Sequence, residues 1–323
     1  MERVTLGRSG LSVSPIAFGT WQLSSRFWGE QPKGDAIAAM QQAFELGVNF
    51  FDTADAYGDG YAETVLGEAI RDLPRDQLVI VTKFFNHFNP DGTRYPDLSP
   101  GYLAERCEAS LKRLGIETID VCLLHFYDQL TPLAEVAGTL EKLRDQGKIR
   151  SFGVSNHNAE QLRAQRHFGA YDIVQPEYSL VNTGIEKDLL PYCQAEDIGV
   201  MVYSPLHKGL LTGKYTGDET FNDFRANHPD FLGDRYRQFC QAVQELQPIA
   251  EEYRLSIYQL VLATTLLHPA VHVAICGIKT PAQIAEAAGA IGTTISREDY
   301  FAVRTALAIG QGVKVVDARG TRK

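Results

Sequence analysis

Asn49-Phe50-Phe51-Asp52-Thr53-Ala54-Asp55-Ala56-Tyr57-Gly58 is a short aromatic run that stops at a carboxylate, with a tyrosine five residues later on a loop that must close into the next helix. It reads as one strand–loop–helix unit, and from Pro15 onward the chain repeats that unit. Strands are expected at Ile16–Gly19, Phe50–Asp52, Leu78–Lys83, Ile119–His125, Ile149–Ser155, Asp172–Gln175, Gly199–Ser204 and Val271–Cys276. Amphipathic segments such as Asp35–Leu46, Pro100–Leu114, Pro132–Gln146, Ala159–His167 and Ser256–Leu267 lie between them. Eight strands, each followed by a helix, predict a (β/α)8 TIM barrel in the α/β class. Several strands are apolar throughout, as they must be when barrel interior and helix layer bury both faces. An open doubly wound sheet is the competing architecture. No GxGxxG follows the first strand and no linker interrupts the eight units, so the barrel is preferred.

Arg3–Leu6 and Leu11–Ser14, joined by Gly7-Arg8-Ser9-Gly10, read as an N-terminal β-hairpin plug. After the last strand, Pro281–Ala290 and Arg297–Ile309 read as helices, the second an extra C-terminal helix. The tail from Gln311 is expected either to cover part of the barrel mouth or to lie outside it. Residues 1–323 are therefore expected to form a single barrel domain. Two connections exceed simple links: Phe84–Ser99, and Pro205 to about Asp234. Loops of such length tend to be functional, and in a barrel both would stand on the C-terminal rim, where active sites are built.

A composition of 44% apolar and 22% charged residues suits a globular enzyme with a substantial core. The net charge of −9, with Lys and Arg scattered among acids, leaves no basic stripe for nucleic acid. Cys107, Cys122, Cys193, Cys240 and Cys276 form no CxxC pair and no Cys/His cluster, so they are expected to be buried reduced thiols and no metal site is expected. No apolar h-region follows Met1-Glu2-Arg3, and no apolar run approaches the ~20 residues that span a bilayer. A cytoplasmic protein without a membrane partner is expected. Nothing in the sequence specifies an oligomeric state.

Asp52, Tyr57, Lys83 and His125 each stand at a strand end or just past it. Taken singly, each has an ordinary explanation: a structural ion pair for Asp52 and Lys83, a loop aromatic for Tyr57, a core histidine for His125. Taken together on adjacent strands, they make a proton-donating site. A tyrosine with a pKa near 10 is a poor acid at neutral pH and needs an adjacent ammonium to stabilise its developing phenolate. Lys83 supplies that field, Asp52 holds Lys83, and His125 orients or polarises a substrate carbonyl. The set suits hydride delivery to a carbonyl with protonation of its oxygen.

On these residues the chain resembles the aldo-keto reductases along nearly its whole length. The resemblance lies in Phe51-Asp52-Thr53-Ala54 with Tyr57-Gly58, Thr82-Lys83, Leu123-Leu124-His125, Gly153-Val154-Ser155-Asn156, and Tyr203-Ser204-Pro205-Leu206 with Gly209-Leu210-Leu211-Thr212-Gly213-Lys214-Tyr215. The loop in that last segment resembles the bacterial and plant branch. The resemblance implies a barrel that uses NADPH without a separate nucleotide-binding domain, with Asp52, Tyr57, Lys83 and His125 as catalytic tetrad. It implies Ser155, Asn156 and Gln175 on the nicotinamide carboxamide and Tyr203 stacked on the ring. Ser204, Leu206, Gly209 and Lys214 would follow the pyrophosphate, with Thr20, Trp21, Asp52, Pro205 and Arg225 also binding the cofactor. Gly277, Lys279, Gln283 and Glu286 would take the adenosine half, Lys279 facing the 2′-phosphate.

Thr280-Pro281-Ala282-Gln283 also reads as a helix N-cap, first-turn proline and capping-box glutamine, a competing use of Gln283. The sequence departs from the family's pattern at Cys276, where proline is usual, and at Ala287, where asparagine is usual. Trp21, Tyr57, Phe84, His125 and Phe126 are the expected substrate contacts, with Trp28 and Tyr127 as further aromatic candidates and His87, His157, His207 and Asp128 as rim candidates. The expected activity is reduction of aldehydes or ketones to alcohols with a small-molecule carbonyl substrate. Two alternatives stand beside it: NAD-dependent oxidation of a sugar or polyol, and a cofactor-sensing regulatory subunit of the potassium-channel β type.

Overall fold

The computed structural model describes residues 1–312, and in it the eight strands close into a parallel barrel. A small hairpin, β1 (Val4–Thr5) with β2 (Ser12–Val13), precedes the first barrel strand, β3 (Ile16–Gly19). Helices α1 (Ser25–Trp28) and α2 (Lys33–Glu45) lead to β4 (Phe50–Asp52), and α3 (Tyr61–Ile70) leads to β5 (Val79–Phe84). A second antiparallel hairpin, β6 (Asn86–Phe88) and β7 (Arg94–Pro96), rises from the end of β5. Then come α4 (Pro100–Leu114), β8 (Ile119–Leu124), α5 (Leu133–Asp145), β9 (Ile149–Ser155), α6 (Ala159–Arg166), β10 (Tyr171–Gln175), α7 (Leu189–Ala195) and β11 (Gly199–Tyr203). Helices α8 (Gly233–Gln244), α9 (Gln247–Glu252) and α10 (Ile257–Leu266) precede β12 (Val273–Gly277), and α11 (Pro281–Ala288) and α12 (Arg297–Gly310) follow it. β12 returns to β3 with Ala274 opposite Ile16 and Gly277 opposite Gly19, which closes the ring.

Strand alternation sorts the side chains into two cores. Ala17, Phe50, Val79, Val81, Val121, Leu123, Ile173, Met201 and Val273 fill the barrel interior. Their neighbours Ile16, Phe18, Phe51, Ile80, Cys122, Leu124, Val174 and Val200 pack against the helices. Leu6, Leu11 and Val13 of the hairpin belong to the interior core, so the hairpin plugs the end of the barrel where the strands begin. Gly7 makes that seat possible: its φ is +51°, and a Cβ there would stand 2.4 Å from the Gly199 nitrogen. A third core, which includes Leu211, Tyr215, Phe231, Phe239, Val261 and Leu307, fixes the long connection after β11 against α8, α10 and α12.

Three expectations shift. β12 begins at Val273 rather than Val271, because the Val271 amide is spent on a turn bond to the His268 carbonyl at 2.8 Å. The Phe84–Ser99 connection is not irregular throughout but carries β6 and β7. The seventh strand reaches its barrel helix α10 only after α8 and α9. The expectation for the tail concerns residues of which 313–323 lie outside the described ones. All five cysteines are buried and free, and burial pushes the Cys107 and Cys193 thiols up to about 12. No helix among the described residues is long and apolar enough to cross a membrane.

Candidate active site

The ends of β4, β5 and β8 set three side chains at one rim. Thr53 donates its amide to the Val81 carbonyl at 2.9 Å, Asp55 to the Lys83 carbonyl at 3.3 Å, and His125 to the Phe84 carbonyl at 2.9 Å, so parallel pairing continues just past the strands. The turn after β4 then brings in Tyr57, whose amide donates to the Ala54 carbonyl at 3.1 Å.

Lys83 is completely buried, and its ammonium has three acceptors: Asp52 Oδ1 at 2.7 Å, the Thr53 carbonyl at 2.7 Å and the Tyr57 hydroxyl at 3.3 Å. That satisfies all three N–H groups of a charge that would otherwise be costly to bury. Asp52 Oδ2 accepts from Gln175 Nε2 at 2.7 Å. Burial works against the Lys83 ammonium, but Asp52 and Tyr57 outweigh it and hold its pKa above the ordinary value. Burial raises Asp52 against the pull of Lys83 and Gln175. Burial also raises the Tyr57 phenol, with Lys83 opposing, so Tyr57 keeps its proton. His125 is held well below the ordinary histidine value by burial and by Lys83, and its imidazole is neutral. Its ring stands edge-on to Tyr57 at 5.9 Å and stacks on Phe126 at 4.8 Å, and its Nδ1 has no hydrogen-bond partner among the described residues.

A cleft of about 610 Å³ opens over these groups. Asp52, Tyr57 and His125 lie in its wall, together with Trp21, Phe126, Ser155, Asn156, Gln175, Tyr203, Ser204, Pro205, Leu206, Gly209, Lys214, Arg225, Gly277, Lys279 and Gln283. The Tyr203 ring is fixed by its hydroxyl, which donates to Asn156 Oδ1 at 2.7 Å, while Asn156 Nδ2 donates to the His125 carbonyl at 3.0 Å. Asn156, Ser204, His207 and Lys208 hold left-handed backbone, with φ between 45° and 59°. Strain of that kind, gathered in the loops after β9 and β11, is characteristic of sites where backbone groups must face a ligand.

At the far end Lys214, Arg225 and Lys279 meet. Arg225 is paired with Asp223 and donates to the Tyr215 hydroxyl at 2.7 Å. Lys279 lies 5.2 Å and the Arg225 guanidinium 5.3 Å from the centroid of the Trp28 ring. Burial, then Arg225, lowers the Lys279 ammonium below its ordinary value. Under-compensated cations beside the N-terminus of α11 fit a phosphate. An aromatic face at the reacting end, amides beneath it and cations at the other end together fit a nicotinamide dinucleotide.

Several expected contacts are elsewhere. Phe84 is a correction: it is 1% exposed and packs outward in the helix-facing core. Thr20 is fully buried, its hydroxyl has no partner among the described residues, and it lies outside the cleft wall. Glu286 faces α10, where it accepts from the Ser256 hydroxyl at 2.8 Å. Gln283 lines the cleft, but its Oε1 accepts from the Lys279 amide at 2.7 Å rather than from the cap residue Thr280. Tyr127 turns its ring edge to His157, and His87 stacks between Tyr95 and Tyr102. Residues not foreseen in the wall include Gln22, Phe27, Asn86, Arg94, Glu177, Lys208 and Tyr258. Asn86 and Arg94 sit on the long loop already singled out by its length, and Glu177 lies two residues past the end of β10.

A wider groove of about 1120 Å³ lies at the opposite end of the barrel, beside the starts of β8 and β9. Its arginines Arg75 and Arg150 are both held by Asp120, at 2.6 and 2.8 Å, which accounts for them structurally.

Under the Tyr57 turn, Asp55 is completely buried and accepts from Arg106 at 3.0 Å, while its Oδ1 has no partner among the described residues. Burial pushes this carboxyl up to about 7, against Arg106. A folded pKa above the unfolded 3.8 means that the folded state binds the extra proton, so stability falls as pH rises from about 4 through 7. Asp55→Asn removes that dependence. Urea unfolding at pH 5 and pH 8 should show the variant gaining on the parent at the higher pH, by up to about 2.6 kcal/mol; an equal difference at both pH values would remove Asp55 as the cause.

The family model for the Aldo/keto reductase family matches residues 15–308. The chain is 33% identical over 318 residues to an NADH-specific methylglyoxal reductase of Escherichia coli, covering 94% of this chain and 98% of that protein. It is 36% identical over 300 residues to a putative voltage-gated potassium channel subunit beta of Schizosaccharomyces pombe, covering 87% of this chain and 85% of that one. Among solved structures it is similar to the glycerol dehydrogenase AKR11B4 from Gluconobacter oxydans, with a TM-score of 0.86, 31% identity and 95% of each chain covered.

Proposed function

Because the chain belongs to the aldo/keto reductase family, an oxidoreductase family using nicotinamide cofactors, we propose that it reduces an aldehyde or ketone to an alcohol with NADPH, Tyr57 acting as general acid. Residues 1–323 work as one barrel domain in this reading. The observation that carries it is the convergence of Asp52, the Thr53 carbonyl and the Tyr57 hydroxyl on one buried ammonium at the floor of the cleft.

When bound, the reduced nicotinamide supplies a hydride to the carbonyl carbon. The chain's residues manage the oxygen. Tyr57 gives its proton to the oxygen as negative charge develops there, and Lys83 at 3.3 Å stabilises the resulting phenolate. Asp52 keeps Lys83 aimed, and Gln175 keeps Asp52 aimed. The neutral His125 imidazole offers a hydrogen bond to the carbonyl without adding a competing cation. Tyr203, held by Asn156, would offer its ring to the nicotinamide, and Lys214, Arg225 and Lys279 would hold the phosphates.

Both tryptophans of the chain, Trp21 and Trp28, lie in the cleft wall, so intrinsic fluorescence reports its occupancy directly. Titration with NADPH and NADH, followed by stopped-flow oxidation of the bound cofactor by a panel of aldehydes and ketones, tests the reading. Binding with rapid oxidation supports it. Tight binding with no oxidation by any carbonyl overturns it and favours a sensing role, which the likeness to a channel subunit makes the second reading. Slow carbonyl reduction beside rapid polyol oxidation would favour the dehydrogenase direction, the one for which the similar Gluconobacter oxydans protein is named.

Cofactor preference turns on Lys279. Asp223 occupies much of the Arg225 guanidinium, which leaves Lys279 as the principal cation for a 2′-phosphate. Lys279→Ala is expected to weaken NADPH about tenfold or more and to leave NADH nearly unchanged. Similar losses for the two cofactors would move the 2′-phosphate elsewhere and favour NADH, the cofactor in the name of one relative.

A further inference from the structure

Trp21, Phe27 and Phe126 give the cleft that holds Tyr57 an aromatic lining. The Asn86 amide and the Arg94 guanidinium are set into it. Arg94 enters on the β6–β7 hairpin, opposite Phe88 in the register, and its guanidinium lies 5.0 Å from the centroid of the Phe88 ring. Arg106 lies 4.8 Å from the same centroid and is itself anchored on Asp55. The Phe88 ring therefore positions the Arg94 guanidinium.

Lys214 and Lys279 stand at the phosphate end of the cleft, and the remaining cations in or under it are committed. Lys83 has three acceptors, Lys208 is paired with Glu177 at 2.7 Å, and Arg225 is paired with Asp223. Among the described residues Arg94 pairs only with Asp59, whose side chain is 61% exposed. So exposed a pair is held weakly, and an incoming anion can replace Asp59 at little cost. A guanidinium presents a planar fork that matches a carboxylate.

We propose that Arg94 determines substrate specificity by binding a carboxylate on the carbonyl substrate, so that the preferred substrates are aldehydes or ketones bearing a carboxylate beyond the reacting carbonyl. This rests on the reductase reading above. One guanidinium in an otherwise neutral aromatic wall, with Asp59 beside it, suits a monoanion better than a phosphate dianion.

Succinic semialdehyde and butyraldehyde have the same chain length and differ in the carboxylate. The ratio of kcat/KM for the first to that for the second, measured within each form of the full chain, cancels general losses of folding or cofactor binding. In the parent protein the ratio should be about tenfold or more, and it should shrink as ionic strength rises. Arg94→Gln should bring it toward one, mainly through the KM of the semialdehyde, and Arg94→Lys should retain part of it. Equal use of both aldehydes by the parent, or a ratio unchanged in Arg94→Gln, overturns the proposal while leaving the reductase reading standing. If Arg94→Gln does not fold, a parent ratio insensitive to salt overturns it. If neither aldehyde oxidises the bound cofactor while another carbonyl of the panel does, the proposal falls and the reductase reading stands.

Discussion

Replacing Tyr57 with phenylalanine is expected to lower turnover by about 10²- to 10⁴-fold with cofactor affinity nearly unchanged. The hydroxyl is the sole group lost. The ring keeps its place between the β4 turn and His125, and Lys83 keeps Asp52 and the Thr53 carbonyl as acceptors. What disappears is the donor that meets the developing oxyanion. Fluorescence titration and single-turnover oxidation separate the two quantities. Near-parent turnover would transfer the acid role to another group, and His125 would be the candidate. That group is held neutral well below its ordinary pKa, so a rescued activity carried by His125 would rise as pH falls. The Tyr57 pathway has no such limb near neutrality, because the phenol is raised and stays protonated.

The barrel was legible because its strands are buried on both faces, and an unbroken apolar run such as residues 121–124 admits few other readings. The tetrad positions were legible for the same reason: an ionisable residue at the end of such a run stands out. Phe84 was misread by parity. Lys83 points into the barrel mouth, so its neighbour must point outward, and the period-two rule alone excludes the pair from facing one cleft. Glu286 depended on which face of α11 meets α10, a tertiary contact with Ser256 that local sequence does not encode. Arg94 was hidden differently. Asn86–Phe88 and Arg94–Pro96 are too short and too polar to read as strands, and the hairpin is stabilised by stacking of His87 on Tyr95 and Tyr102 across a loop and a helix. The length of that loop was the available signal.

Lys83→Met is expected to abolish measurable turnover and to destabilise the fold by about 3–5 kcal/mol. Lys83 and Asp52 are 0% and 5% exposed in their side chains, so removal of one partner leaves the other charge in a site built for a pair. Methionine matches the length of the lysine stem, which keeps cavity effects small. Asp52→Asn should destabilise less, because the ammonium retains the Thr53 carbonyl and the Tyr57 hydroxyl. The double variant should be more stable than the sum of the singles requires, since no uncompensated charge remains. Urea unfolding of the four forms measures the coupling directly. In Lys83→Met the Asp52 carboxyl, already raised by burial, loses its cation and rises further. Its penalty is present above the unfolded carboxylate pKa and shrinks as pH falls, so the deficit relative to the parent should narrow in acid. A pH-independent deficit, or strictly additive singles, would mean that the cost is packing rather than an orphaned charge. The same four forms tie stability to mechanism: if Lys83 acts by stabilising the Tyr57 phenolate, the double variant regains stability and no turnover. Recovery of turnover together with stability would instead reduce Lys83 and Asp52 to scaffold, leaving Tyr57 to protonate the substrate without an ammonium beside it.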